Sequence, residues 1–443
     1  MSLFNKIVKN YNKYPLWVLR LIGPLFNLLP VGLRLGKGYR TERRIIKENE
    51  GLSEPDVIEK QNESFKKLIA YSYEHVKYYR ELLDGLGLKP RDFKTVKDIT
   101  KIPFLTKEIV FQRQNDLISD ECSKEKLCYV TTSGSTGTPV GFFVDKNSSI
   151  RDVAYVYHFF NEIGYSPKSS KLLMRGKEFY SQKRGHVFQW DPLKKELSID
   201  IFSFTEENLE IYCKAIEKYK PDFVYGYPSA MCLFCNYLSK RKEPLRHNFK
   251  GFIAISESLS NEQSSFIESV ISAPVVTFYG MSERVIIAKK CLKTGQYHIE
   301  PLYGLAEIVD KKGNEIKTNG IIGELVGTSL VNYCMPLIRY KTGDMSSWSN
   351  SSCCCSNRFF SLANVYGRKN RDVLINKENQ PISMASLEIH SDAYQYIKRY
   401  QFYQEKPGFV TIRIVPSCDS FDNEKIDEIK NIFTNRTQGK IVF

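Results

Sequence analysis

Between residues 208 and 278 the sequence alternates three amphipathic helical runs (Asn208–Tyr219, Ser229–Ser239, Asn261–Ile271) with three short apolar runs (Phe223–Tyr225, Gly251–Ile255, Val275–Phe278). This alternation predicts parallel βα units and a sheet covered on both faces. It also predicts a ligand site at the carboxyl ends of the strands. The fold class expected is therefore α/β. From Leu305 to Arg339 the texture changes to strand-like runs with turns at Asp310–Gly313 and Thr318–Gly320, so a β-rich subdomain is expected. Upstream, residues 53–83 repeat apolar side chains at helical spacing, and Ile102-Pro103-Phe104-Leu105 reads as a loop that docks apolar side chains. Ser346–Asn357 reads as a loop. Near the end, a helix around Ser386–Tyr400, a strand at Phe409–Val415 and a helix at Asn423–Phe433 predict a small α+β unit. These changes of texture divide the chain into an N-terminal segment 1–45, a large domain 46–366 and a small domain 367–443.

The 443 residues are 42% hydrophobic and 26% charged, which excludes a disordered, collagenous or polytopic membrane protein. Net charge is +14, but residues 1–41 hold seven basic side chains (Lys6, Lys9, Lys13, Arg20, Arg34, Lys37, Arg40) and no acidic one. The other half of the excess is spread thinly, so no nucleic-acid partner is expected. The uncharged stretch Leu21–Leu33 is interrupted by Pro24 and Pro30 and is shorter than the roughly 20 residues a membrane-spanning helix needs. Trp17–Leu35 is expected either to pack on the main body as a pair of short helices or to lie on a membrane surface, where its flanking Lys and Arg suit anionic lipid. With no signal-peptide pattern, the eleven cysteines are expected as reduced thiols in a cytoplasmic protein, either free or membrane-associated at the inner face.

Several motifs carry chemistry. Thr131–Gly137, between two strand-like runs, combines glycines with the hydroxyls of Thr132, Ser133, Ser135 and Thr136. Such a loop can cradle phosphate through backbone N–H groups, or be a plain hairpin turn. Tyr279-Gly280-Met281-Ser282-Glu283 follows an apolar strand. Further on come Pro336–Asp344, then Gly367-Arg368 with Asp372, and finally Thr437–Phe443 containing Gly439-Lys440.

In this order and at these separations the motifs resemble the adenylate-forming (ANL) superfamily. More narrowly, residues 60–443 resemble its phenylacetate–CoA ligase-like branch and the capsule-locus (CapK-like) proteins within it. The resemblance implies an ATP-dependent, AMP-forming carboxylate ligase with a large domain and a small mobile C-terminal lid, acting in capsule or O-antigen synthesis. It implies that Thr132, Ser133, Gly134, Ser135, Thr136 and Gly137 wrap the β- and γ-phosphates of ATP. Ser256, Glu257 and Ser258, with Tyr279, Gly280, Met281 and Ser282, would line the adenine side. Asp344 would take the ribose hydroxyls, Arg368 would reach ribose or phosphate, and Glu283 would hold Mg²⁺. Lys440 would serve the α-phosphate and carboxylate, although the sequence shows little beyond it to anchor it. Lys369 and Asp372 would bracket the hinge. The acyl pocket would draw on Tyr225, Tyr227, Pro228, Ser229, Ile255 and Phe278, which favours a small carboxylic acid without an ammonium group. The acceptor would be CoA, a carrier-protein thiol or an amino sugar. A catalytically inactive nucleotide-binding scaffold of the same fold is the alternative.

Cys291 and His298, with Cys353 and Cys355, match a set that some members of this branch carry, and imply a structural Zn²⁺ site; free thiols in a loop are the alternative. Cys232 and Cys235 are expected to be core, and His158 a core or pocket residue.

Overall fold

The computed structural model describes residues 16–131, 141–145, 148–176, 179, 185–349, 353, 355, 361–366, 373–379, 381–383, 387, 397–416, 421–437 and 439–443. The chain opens with helices α1 (Leu16–Leu28), α2 (Val31–Arg34), α3 (Gly36–Asn49), α4 (Glu54–His75), α5 (Lys77–Gly85) and α6 (Lys107–Gln112). Residues 53–83, expected to be helical, form two helices. Ser53 and Asp56 start α4 with a reciprocal capping box, and α4 stops because Val76, fully buried, is extended at φ −123° and ψ 109°.

A hairpin of β1 (Cys128–Thr131) and β2 (Gly141–Val144) follows, then α7 (Ser148–Phe159). Next come β3 (Lys171–Met174), β4 (Phe188–Asp191), β5 (Glu196–Ile199), α8 (Glu206–Tyr219), β6 (Phe223–Gly226), α9 (Pro228–Lys240), β7 (Gly251–Ala254), α10 (Asn261–Ile271) and β8 (Val275–Gly280). The chain continues through β9 (Ile287–Lys290), β10 (Tyr297–Ile299), β11 (Gly304–Val309), β12 (Gly323–Ser329), β13 (Tyr340–Trp348) and β14 (Ser361–Tyr366).

β3 to β14 build one mixed sheet in the order β11-β12-β13-β14-β10-β9-β8-β7-β6-β3-β5-β4. The run β5-β3-β6-β7-β8 is parallel, as the alternation predicts. The expected β-rich subdomain is the antiparallel continuation of the same sheet, because β8 pairs with β7 through Val275–Thr277 and with β9 through Phe278–Gly280. The segment after β8 then crosses close over β11: a Cβ on Gly304 would overlap the Val285 carbonyl, so only glycine fits there. The expected docking loop holds. Ile102 and Leu105 are buried, and Leu105 pairs with Tyr340, which extends the sheet's hydrogen bonding. β13 runs to Trp348, so the loop expected from Ser346 starts later.

One expectation fails outright. The fold brings Cys122 beside Cys334, with Cα atoms 5.6 Å apart, and the two form a disulfide. Cys232 and Cys235 do pack in α9, and burial pushes the Cys235 thiol up to about 12.

The C-terminal part contains β15 (Val373–Ile375) paired with β16 (Pro381–Ser383), a hairpin of β17 (Ile397–Lys406) and β18 (Phe409–Pro416), and α11 (Asn423–Arg436). Ile397–Tyr400 is strand, not the end of a helix. Its aromatic and β-branched neighbours pair with β18 across the turn at Pro407-Gly408. Leu374, Ile397, Val410, Ile429, Phe433 and Ile441 form the core of this part, joined by Phe202 from the loop after β5.

Candidate active site

Tyr279 sits where the sheet passes from parallel to antiparallel pairing. Its hydroxyl donates to Asp344 Oδ2 at 2.8 Å. Asp344 is held in turn, its N–H donating to Thr342 Oγ1 at 3.0 Å while that hydroxyl donates to the Leu325 carbonyl at 2.6 Å. Burial, then the Asp344 charge, pushes the Tyr279 phenol well above its ordinary range, so it remains a donor.

Glu283 follows four residues on and is 3% exposed, with Tyr340 donating to its Oε1 at 3.2 Å. Its orientation is fixed from the next residue. Arg284, at φ +54°, pairs through Nε with Asp152 Oδ2 at 2.7 Å, and Asp152 Oδ1 accepts the Tyr303 hydroxyl at 2.9 Å. Burial raises the Asp152 carboxyl and Arg284 pulls it back.

Ser256, Glu257 and Ser258 leave the carboxyl end of β7. Glu257 accepts from Ser229 N at 3.0 Å and Ser229 Oγ at 2.9 Å, placing a carboxylate at the N-terminus of α9, where the helix dipole favours it. The nucleotide-side and acyl-side sets predicted from sequence thus touch. Tyr225, Tyr227, Pro228, Ser229, Ile255 and Phe278 all lie at the carboxyl ends of β6, β7 and β8. Tyr227, Pro228 and Ile255 are buried, while Ser229, Tyr225 and Phe278 are half-buried. His158 is half-buried, and burial holds its imidazole below the usual range.

Lys440 is well anchored, against the sequence expectation. Val442 donates to the Gly408 carbonyl at 2.8 Å and accepts from Val410 N at 2.9 Å, and Ile441 is fully buried. The Lys440 ammonium donates to the Phe202 carbonyl. Burial lowers its pKa, partly offset by Asp200 and Glu378. Phe202 and Asp200 follow β5, at the same carboxyl end of the parallel strands.

Thr132, Ser133, Gly134, Ser135, Thr136 and Gly137 lie outside the described residues, as do Arg368, Lys369 and Asp372. The hairpin flanking the first group does form: Thr131 faces Gly141 in antiparallel register, as strand–turn–strand requires.

Two arrangements were missed by the sequence reading. Arg339, at φ +54°, grips Glu307 with Nε at 3.1 Å and NH2 at 2.7 Å, donates to the Ile102 carbonyl at 2.8 Å, and stacks 4.1 Å from the Phe104 ring centroid. This buried pair braces β13, the strand that presents Asp344. Tyr340, beside it, supplies the hydroxyl on Glu283. Both residues stand within the recognised Pro336–Asp344 motif, but their partners lie far off in sequence.

Cys291, His298, Cys353 and Cys355 converge, with all four ligand atoms within 4.8 Å of one another. Cys291 Sγ lies 3.5 Å from Cys353 Sγ, and Cys355 Sγ 3.1 Å from His298 Nε2. His298 Nδ1 contacts Ser361 Oγ at 2.7 Å, which orients the ring and leaves Nε2 toward the thiols. Burial raises the Cys353 thiol, but the Thr294 hydroxyl and neighbouring groups outweigh it and bring it down to about 7. Three soft sulfurs and one imidazole at this spacing fit tetrahedral Zn²⁺.

A Tyr–Asp pair and a buried carboxylate at the switch point of a mixed α/β sheet, with a small C-terminal unit laid against it, suit an adenylate-forming enzyme. The model of the AMP-binding enzyme family matches residues 66–329, more than half of the chain, and the chain belongs to that family. It is similar to Protein CapK of Staphylococcus aureus, 24% identical over 427 residues that cover 95% of this chain and 91% of that one. It is also similar to a phenylacetate-coenzyme A ligase of Thermus thermophilus, 25% identical over 71% of each chain. Among solved structures, 2-hydroxyisobutyryl-CoA ligase in the postadenylation state with R3-HIB-AMP superposes with a TM-score of 0.55 at 16% identity. It covers 86% of this chain and 83% of that one, a likeness of fold.

Proposed function

We propose that the enzyme activates a small carboxylic acid with ATP as an acyl-adenylate and passes the acyl group to CoA or another thiol or amine, in the assembly of a surface polysaccharide. The observation that carries this reading is the convergence of Tyr279, Asp344 and Glu283 at the end of β8. In the first half-reaction a carboxylate oxygen attacks the α-phosphorus of ATP, and the bond to pyrophosphate breaks. In the second, the acceptor attacks the acyl carbon and AMP leaves. Asp344 accepts from the ribose hydroxyls, and Tyr279 keeps it oriented. Glu283, a fixed carboxylate suited to a hard cation, would hold Mg²⁺, which neutralises phosphate charge when bound. Lys440 is assigned to the negative charge that develops between carboxylate and α-phosphate. The similarity to phenylacetate-coenzyme A ligases supports CoA as acceptor, and the likeness to CapK over nearly the whole chain supports the polysaccharide role.

ATP–pyrophosphate exchange across a panel of carboxylic acids with Mg²⁺ tests the reading, followed by mass spectrometry of the acyl-AMP. Exchange that depends on one class of acid and on Lys440 is expected. No exchange with any acid, and no effect of Lys440→Ala, would overturn it.

A further inference from the structure

We propose that the outward face of α1 is a docking surface for an anionic lipid bilayer. The helix has two apolar faces. The inner one is bound to the protein: Leu19 is buried, a Cβ on Gly23 would come 2.9 Å from Pro192 Cβ, and Asn27 Nδ2 donates to the Pro192 carbonyl at 2.7 Å. Arg34 locks the return segment, donating to Asn27 Oδ1 at 2.7 Å and to the Pro167 carbonyl at 3.3 Å.

The outer face carries Trp17, Leu21, Leu25 and Leu28, at intervals of four, four and three residues, and these are 65, 66, 68 and 81% exposed. Leu33, on α2, is also exposed. A helix on a water-facing surface ordinarily turns polar residues outward; here the one charged side chain of α1 is Arg20, on the flank of the stripe. A contiguous exposed apolar stripe marks an interaction site.

Charge decides between occupants. Residues 1–41 have seven basic and no acidic side chains; Arg20 on α1 and Lys37 and Arg40 on the first turns of α3 are exposed. A second copy would set these cations against their like. An anionic membrane surface complements them, and a basic helix with an apolar face lies in the headgroup plane of such a surface. No helix among the described residues is long and apolar enough to cross a membrane. The anchor points of α1 also fix its orientation. Asn27 of α1 is held at Pro192, before β5, and Arg34 of α2 at Pro167, before β3, so the α1–α2 segment lies at the amino ends of the parallel strands, opposite the end that carries Tyr279 and Ser229.

The test is co-sedimentation of the full chain with phosphatidylglycerol–phosphatidylcholine vesicles and with phosphatidylcholine vesicles alone. The wild type should bind the first, weaken with salt, and largely ignore the second. Leu21→Glu with Leu25→Glu should lower partitioning at least about tenfold, and each of Arg20→Ser and Lys37→Ser by roughly fivefold, with pyrophosphate exchange and far-UV circular dichroism unchanged. Leu28→Ser alone, at the most exposed position, guards against a folding defect in the double variant. Wild type that ignores anionic vesicles, or Glu variants that bind like wild type, would overturn the proposal. So would a concentration-dependent dimer abolished by the Glu pair without vesicle binding, which would assign the face to a second copy.

Discussion

Tyr279 donates its phenol to Asp344 across 2.8 Å, although three strands separate β8 from β13 in the sheet. Four strand spacings on a flat sheet would hold them roughly 19 Å apart, so this bond records how far the antiparallel half curls over the switch point. Tyr279→Phe removes a charge-assisted donor from a residue assigned to the ribose. The KM for ATP in pyrophosphate exchange should rise about tenfold with kcat little changed. Asp344→Ala should raise it further.

In the role proposed for it Lys440 would act through its charge, and burial lowers the pH at which that charge is lost. The sign follows directly: the protonated form is present below the folded pKa and disappears as pH rises through it. The alkaline limb of the exchange profile should therefore lie below the usual lysine pKa. Lys440→Arg should move that limb upward at reduced kcat, and Lys440→Ala should lower exchange by roughly a hundredfold or more at every pH. A Lys440→Ala profile with the same alkaline limb would remove the assignment.

Glu307 and Arg339 are both nearly inaccessible, so truncating one partner strands a buried charge. Glu307→Ala should cost about 3–5 kcal/mol in urea denaturation. The paired change Glu307→Leu with Arg339→Met should recover much of that loss. Because Arg339 braces the strand bearing Asp344, the single variant should also raise the KM for ATP.

The thiol–imidazole cluster predicts about one equivalent of zinc in protein purified without added metal, read by elemental analysis. Cys355→Ser or His298→Ala should release it and lower the melting temperature. Exchange activity should fall less than stability, since Cys291 follows β9, His298 is on β10, Cys353 and Cys355 lie between β13 and β14, and none of them is among the residues that meet Asp344.

The βα core was legible in the sequence because its signals are local. Val275–Phe278 is an unbroken apolar run, and α10 spans Asn261–Ile271 as predicted because Ser260 and Gln263 form a capping box at its start. The candidate site could be proposed from motifs, since Tyr279, Glu283 and Asp344 stand in recognisable order. What escaped depends on contacts between distant segments. Nothing near Arg339 announces Glu307, nothing near Cys122 announces Cys334, and Lys440 meets Phe202 across 238 positions. The break at Val76 and the strand at Ile397–Tyr400 were missed for a related reason: tertiary packing and strand pairing override a periodicity that reads as helix.

The attachment of the α1–α2 segment at the amino ends of β3 and β5 has a consequence for the second half-reaction. With α1 resting on lipid, the acyl-adenylate would open toward the aqueous side, at the far end of the strands. An acceptor rooted in the same leaflet would have to climb the full height of the parallel strands, roughly 13 Å for the four residues of β3, β5, β6 and β7. A freely diffusing thiol meets no such obstacle. Under the proposed docking, soluble acceptors would rank ahead of membrane-embedded ones, and the bilayer would be where the enzyme resides rather than the source of its second substrate.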